Sequence, residues 1–248
     1  MKNLFPEMTE SIEKGYIFCI FAYWLVCFVV FPFLIPVLAY GLWENTGVMV
    51  WFDCVYYAVN GCVMLMILGS FLRDSWFTVQ LNPKNIIGTT AIASGLMILW
   101  VLISMFILTL RFEQPLFVWN IFPISQMGVA MTPSLLVEGN PVFGTLCLTV
   151  LVPVTVCGLF YVTVFGPVCC NHGGYAYTAV TLLLILPSAF DIFWRGDLEF
   201  KILTYLFRLP VHLLACWSYQ KTDTVWAPIF SLGTCNLLTS LASIMIIG

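Results

Sequence analysis

Three ionisable side chains, Asp191, Arg208 and His212, fall within long apolar runs, and their types and places could do chemistry. A charge at the centre of a membrane helix costs about 3 kcal/mol on insertion scales, so each is a candidate for binding, ion movement or proton transfer. Arg208 and His212 are four residues apart and share one helical face. If their helix starts near Glu199, Arg208 lies about 13 Å and His212 about 20 Å from that end. Asp191 sits near the same membrane side, about 10 Å from the depth of Arg208. An ion pair between them requires the arginine to snorkel towards its interface. A direct acid-base pair of Asp191 with His212 requires the WRGD turn at 194–197 to be buried. The plainer reading holds Arg208 by a packing partner and gives His212 an interhelical hydrogen bond worth about 1 kcal/mol or less. Asp53, Asn60 and Asn236 are weaker signals of the same kind.

Other chemistries find no residues to carry them. No HExxH, GxSxG, GxGxxG or phosphate-loop pattern occurs, and no cofactor is expected. Cys169, Cys170 and His172 form a CCNH run without the CxxC spacing that lets two thiolates grip one zinc, so no metal is expected. Eight of the ten cysteines fall in apolar spans, where cysteine packs as a small hydrophobe. Basic residues are few and scattered, which excludes nucleic acid as a partner.

The elements that must position these residues follow from composition. Of 248 residues, 61% are hydrophobic and 8% charged, against about 25% charged in soluble domains. With a mean hydropathy of +1.01, the chain reads as an integral membrane protein in contact with the lipid bilayer, all-α, in a single domain over 1–248. Seven spans reach the roughly 20 residues needed to cross a bilayer, near 16–42, 48–72, 86–110, 142–165, 174–193, 199–219 and 226–247. They are continuously apolar, whereas barrel strands would alternate over about ten residues. The N-terminal 15 residues suit a short interfacial helix or a polar tail, and the following run is too long for a cleavable signal. Residues 111–141, rich in proline and large apolar side chains, suit an interfacial or re-entrant connector. Prolines at 32, 36, 153, 187, 210 and 228 each remove a backbone donor and leave a carbonyl for a neighbour to satisfy. Orientation rests on Lys2, Lys14, Arg73, Lys84 and Lys221 on one side against Arg111, Arg195 and Lys201 on the other. That bias puts the N terminus in the cytoplasm.

The C-terminal quarter carries a motif. Tyr219-Gln-Lys-Thr222, then Trp226-Ala-Pro-Ile229 and Asn236, resembles the last core motif of the CPBP family, the CAAX-protease and bacteriocin-processing membrane proteins. The family run is a Tyr-x-x-Thr-Gly turn, a Trp-Ala-Pro-Ile step and a helix bearing H-x-x-x-N. Asn236 takes the asparagine place and Leu232 that of the histidine. Pro153 to Tyr161 is similar to the family's Pro-Ile-x-E-E-x-x-x-R segment, with Val156 and Cys157 in place of the paired glutamates. Asp191 then stands at the histidine of the following helix. A second alignment sets Phe190 and Asp191 on the glutamates and Arg195-Gly196 on R-G. It leaves only 24 residues before Tyr219, short for the intervening helix, and the first alignment is preferred.

The resemblance covers 142–248 and implies a four-helix core around a cavity where the family activates water for peptide hydrolysis. Such work needs a carboxylate base and groups that hold the water. Val156, Cys157 and Leu232 supply neither. The resemblance therefore implies a catalytically inactive relative, a pseudoprotease that binds a membrane protein or peptide through the former active-site cavity, with Asp191, Arg208, His212 and Asn236 setting orientation. Two other readings stay open: an active intramembrane protease using Asp191 with His212 or Cys157, and a subunit of a transport or export complex with Arg208 on the path.

Overall fold

The computed structural model describes residues 46–112 and 198–247, together with Ala22 and Val26. All regular structure among the described residues is helical, with no strand. Four helices carry it: α1 (Thr46–Leu81), α2 (Pro83–Phe112), α3 (Leu198–Thr222) and α4 (Trp226–Ile247). They lie where the second, third, sixth and seventh spans were expected. Among the described residues one helix, Pro83–Arg111, is long and apolar enough to cross a membrane, with a mean hydropathy of 2.5 over its most apolar stretch. The expected spans near 142–165 and 174–193, that near 16–42 except for Ala22 and Val26, the N-terminal helix, the 111–141 connector beyond Phe112 and the CCNH run lie outside the described residues.

The helix ends follow from local chemistry. A residue before proline is disfavoured in helical geometry, and proline itself is suited to a first helical position. The chain accordingly breaks at Asn82 and restarts at Pro83. The Asn82 N–H donates back to the Thr78 carbonyl, and the Asn82 carbonyl accepts from Ile86 N–H, so the corner stays bonded on both sides. Helix α3 stops because Asp223 adopts a left-handed backbone, φ 53°. Its N–H donates to the Tyr219 carbonyl at 2.9 Å, the single bond of a left-handed helix cap. Helix α4 starts under Thr224, whose hydroxyl accepts from the Trp226 N–H at 3.3 Å. Pro228 sits in that first turn, where a missing N–H costs little.

Helix α2 packs against both α3 and α4, which also pack on each other. Its inner face is mixed: Ile86, Ala93, Met97, Val101, Met105 and Leu108 are buried together with Thr89, Ser94 and Ser104. Its outer face carries large apolar side chains, with Leu102 at 52% and Phe106 at 64% exposure beside Leu99, Ile103 and Leu110. The buried hydroxyls of Ser94 and Ser104 donate to the carbonyls four residues back, of Thr90 and Trp100, each at 2.8 Å. Such back-bonding satisfies a hydroxyl that has left water. Helices α2 and α3 run antiparallel. Arg111 at the end of α2 pairs with Glu199 at the start of α3, donating through Nε and Nη2 at 3.1 Å each. Lys84 and Lys221 consequently stand at the opposite, shared end.

Candidate functional site

Helix α3 buries Val211, His212, Ala215, Cys216, Ser218, Tyr219 and Thr222, one face repeated at helical spacing. His212, wholly buried, therefore sits on the side that packs on α2 and α4. Arg208 lies one turn earlier on the same helix, with Pro210 between them. Pro210 has no N–H to offer the Leu206 carbonyl. One residue further, the Phe207 carbonyl accepts a bond from the Trp100 indole of α2 at 2.8 Å. The two rings meet edge to face with centroids 6.2 Å apart.

On α4, Leu232 is wholly buried among Ile229, Ser231 and Cys235 on one face. An aliphatic side chain there can neither hold a water nor ligate a metal. Asn236 lies one turn further along α4. Ser218, Thr222 and Ser231 donate their hydroxyls to carbonyls of their own helices, at 2.7, 2.7 and 3.2 Å. Those protons are spent on backbone. Among the described residues no three of His, Cys, Asp and Glu gather as a metal site. Val156, Cys157 and Asp191 lie outside the described residues. Of the proposed constellation, the described part thus contains His212 and Leu232 in the bundle interior, with Arg208 and Asn236 placed along α3 and α4.

The Trp-Ala-Pro-Ile step has a second, structural use that the sequence reading did not anticipate. Ser75, near the end of α1, meets the α3–α4 turn: its Oγ lies 2.8 Å from Thr224 Oγ1 and accepts from Val225 N–H at 3.3 Å. The Thr224 hydroxyl is also within 3.3 Å of the Ser75 carbonyl. The Trp226 indole donates to the Leu72 carbonyl at 3.1 Å. Trp76 packs edge-on against Trp226 and Phe230, with centroids 5.3 and 6.3 Å apart. This clasp ties α1 to the hairpin. Trp226 was visible as the start of a helix, but its partners are about 150 residues away and leave no local signal.

A groove of about 570 Å³ opens on the outer side of α2 and α3, lined by Leu96, Leu99 and Ile103 from one helix and Pro210, Leu213 and Trp217 from the other. None of the expected site residues that the structure describes lines it. No family model, curated protein or solved structure matches the chain. The CPBP resemblance accordingly stands on the residues of its motifs alone.

Proposed function

We propose that this chain is a multi-pass integral membrane protein of CPBP-like architecture, with about seven spans, that has lost peptidase chemistry and acts by binding a membrane protein or peptide within the bilayer. The observation that carries the reading is Leu232: at the place of the family's histidine stands an aliphatic side chain with no exposed surface. Restoring a water there would require both a polar group and a space to hold it. The membrane assignment is supported by α2, which leaves Leu99, Leu102, Ile103, Phe106 and Leu110 exposed while burying Thr89, Ser94 and Ser104 beside apolar neighbours. An exposed face this continuously apolar suits lipid rather than water. Packing through small residues with self-satisfied hydroxyls is how helices associate when lipid removes the hydrophobic drive between them. The N terminus is assigned to the cytoplasm, and the shared end of Lys84 and Lys221 agrees with the charge bias behind that assignment.

The test uses full-length protein purified from membranes and incubated with prenylated CAAX-type and unmodified membrane peptides. The proposal expects intact peptides, and capture of a membrane protein by photo-crosslinking in native membranes. Cleavage that disappears in Asp191→Asn would overturn it.

A further inference from the structure

The groove between α2 and α3 is apolar along its length, and Lys221 lies one helical turn beyond Trp217 on its α3 wall. Pro210, Leu213, Trp217 and Lys221 follow one another at intervals of three or four residues, so they form a single stripe along α3. Trp217 lies about 6 Å and Pro210 about 16 Å below Lys221, counted along the helix. The distance from headgroup to midplane in a bilayer is about 20 Å. The stripe therefore has the order of one phospholipid: charge, interfacial indole, then hydrocarbon, in the order membrane interfaces favour. Trp100, on the groove wall, has its one polar hydrogen committed to the Phe207 carbonyl and presents only ring.

Charge decides which lipid. Lys221 is exposed at the head of the stripe and Lys84 is exposed in the first turn of α2 at the same end. Neither is paired with a described carboxylate, whereas Arg73 nearby lies 3.9 Å from Asp74. Asp223, the acid closest in sequence to Lys221, is drawn partly inward with the helix cap. Length argues against a spanning helix as the occupant, since the α3 side of the groove covers about 10 Å against the roughly 30 Å such a helix would contact. The volume falls in the range of about 300–1,000 Å³ typical of small-molecule clefts.

We infer that the α2–α3 groove holds one acyl chain of an anionic phospholipid, whose phosphate is bound by Lys221 with Lys84. The inference rests on the membrane assignment above, and on nothing in the CPBP resemblance. The experiment is lipid binding to the full chain in detergent, read by native mass spectrometry with palmitoyl-oleoyl phosphatidylglycerol, the matching phosphatidylcholine, and glycerol phosphate. Phosphatidylglycerol is expected to bind tighter than phosphatidylcholine, with Lys221→Gln removing about fivefold of that preference and Lys84→Gln a further part. Leu99→Trp, at an exposed position on the groove wall, is expected to weaken both lipids by filling the groove. Equal affinity for the two lipids, no response to Lys221→Gln, binding of glycerol phosphate as tight as the lipid, or a second copy crosslinked at Leu99 would each overturn the inference. Release of the wild-type chain from membranes by alkaline carbonate would overturn the membrane assignment and the inference together. Retention with no headgroup preference would overturn the inference alone.

Discussion

Replacing Ser75 by alanine removes one oxygen from the clasp between α1 and the α3–α4 turn, and the consequences can be followed atom by atom. Ser75 is 1% exposed and Val225 has no exposed surface. The alanine leaves Val225 N–H without its acceptor, while Thr224 retains the Ser75 backbone carbonyl at 3.3 Å. An orphaned buried donor costs about 1–3 kcal/mol, so about 2 kcal/mol is expected. Thr224→Val removes the other half of the contact and the acceptor for Trp226 N–H, whose loss as a helix cap costs about 1 kcal/mol. The two changes share the 2.8 Å hydroxyl contact, so the double variant should be less unstable than the sum by about 1 kcal/mol. For a chain of this size about 2 kcal/mol lowers the melting temperature by about 4–8 °C. Thermal unfolding of the four proteins in one detergent, followed by tryptophan fluorescence, closes the cycle. Additivity within about 0.5 kcal/mol, or a Ser75→Ala cost below that figure, would refute the clasp.

Further expectations concern single positions. Gly95 lies mid-helix on the exposed side of α2, and a Cβ built there meets nothing within 4 Å. Gly95→Ala should stabilise the protein by about 0.5–1 kcal/mol in the same melt, and a loss would mean that something covers that face. Trp100→Phe keeps the ring but withdraws the hydrogen from the Phe207 carbonyl, and should cost about 1–2 kcal/mol; no change in melting temperature would count against the bond. Leu232→His would place an imidazole where nothing is exposed, at a cost of about 2 kcal/mol or more, and should yield no peptidase activity. Gain of cleavage by that one substitution would show that the rest of the machinery is present.

The described helices were largely legible in the sequence because continuous apolar runs, proline and a polar turn mark them. Helix α4 starts at Trp226 as expected, and α3 at Leu198 is one residue from the expected start. Helix α1 runs to Leu81, nine residues past the expected 72, because hydropathy falls at Arg73 and Asp74 while the backbone ladder does not. Those residues are exposed at 74% and 63% and need no burial to remain helical. His212 was legible as an ionisable group in an apolar segment, and its burial follows from the face it shares with Ala215, Cys216 and Tyr219. The clasp was not. Nothing in the surroundings of Ser75 distinguishes it from other helical serines, since its function comes from a turn 149 positions away. The groove was equally hidden: Pro210 and Trp217 stood out singly, but only the pairing of α3 with Leu96 and Leu99 makes them walls of one space.

Whether α2 shows its hydrocarbon face to lipid is tested most directly at Phe106. The side chain is 64% exposed, so a surface in water would make it reachable. A nitroxide attached at Phe106→Cys, in a chain freed of its native cysteines and reconstituted in vesicles, reports which solvent it meets. The account predicts fast relaxation by oxygen and little by a water-soluble nickel chelate, the opposite of a label at Lys221. Equal access of the nickel chelate to both positions would contradict it.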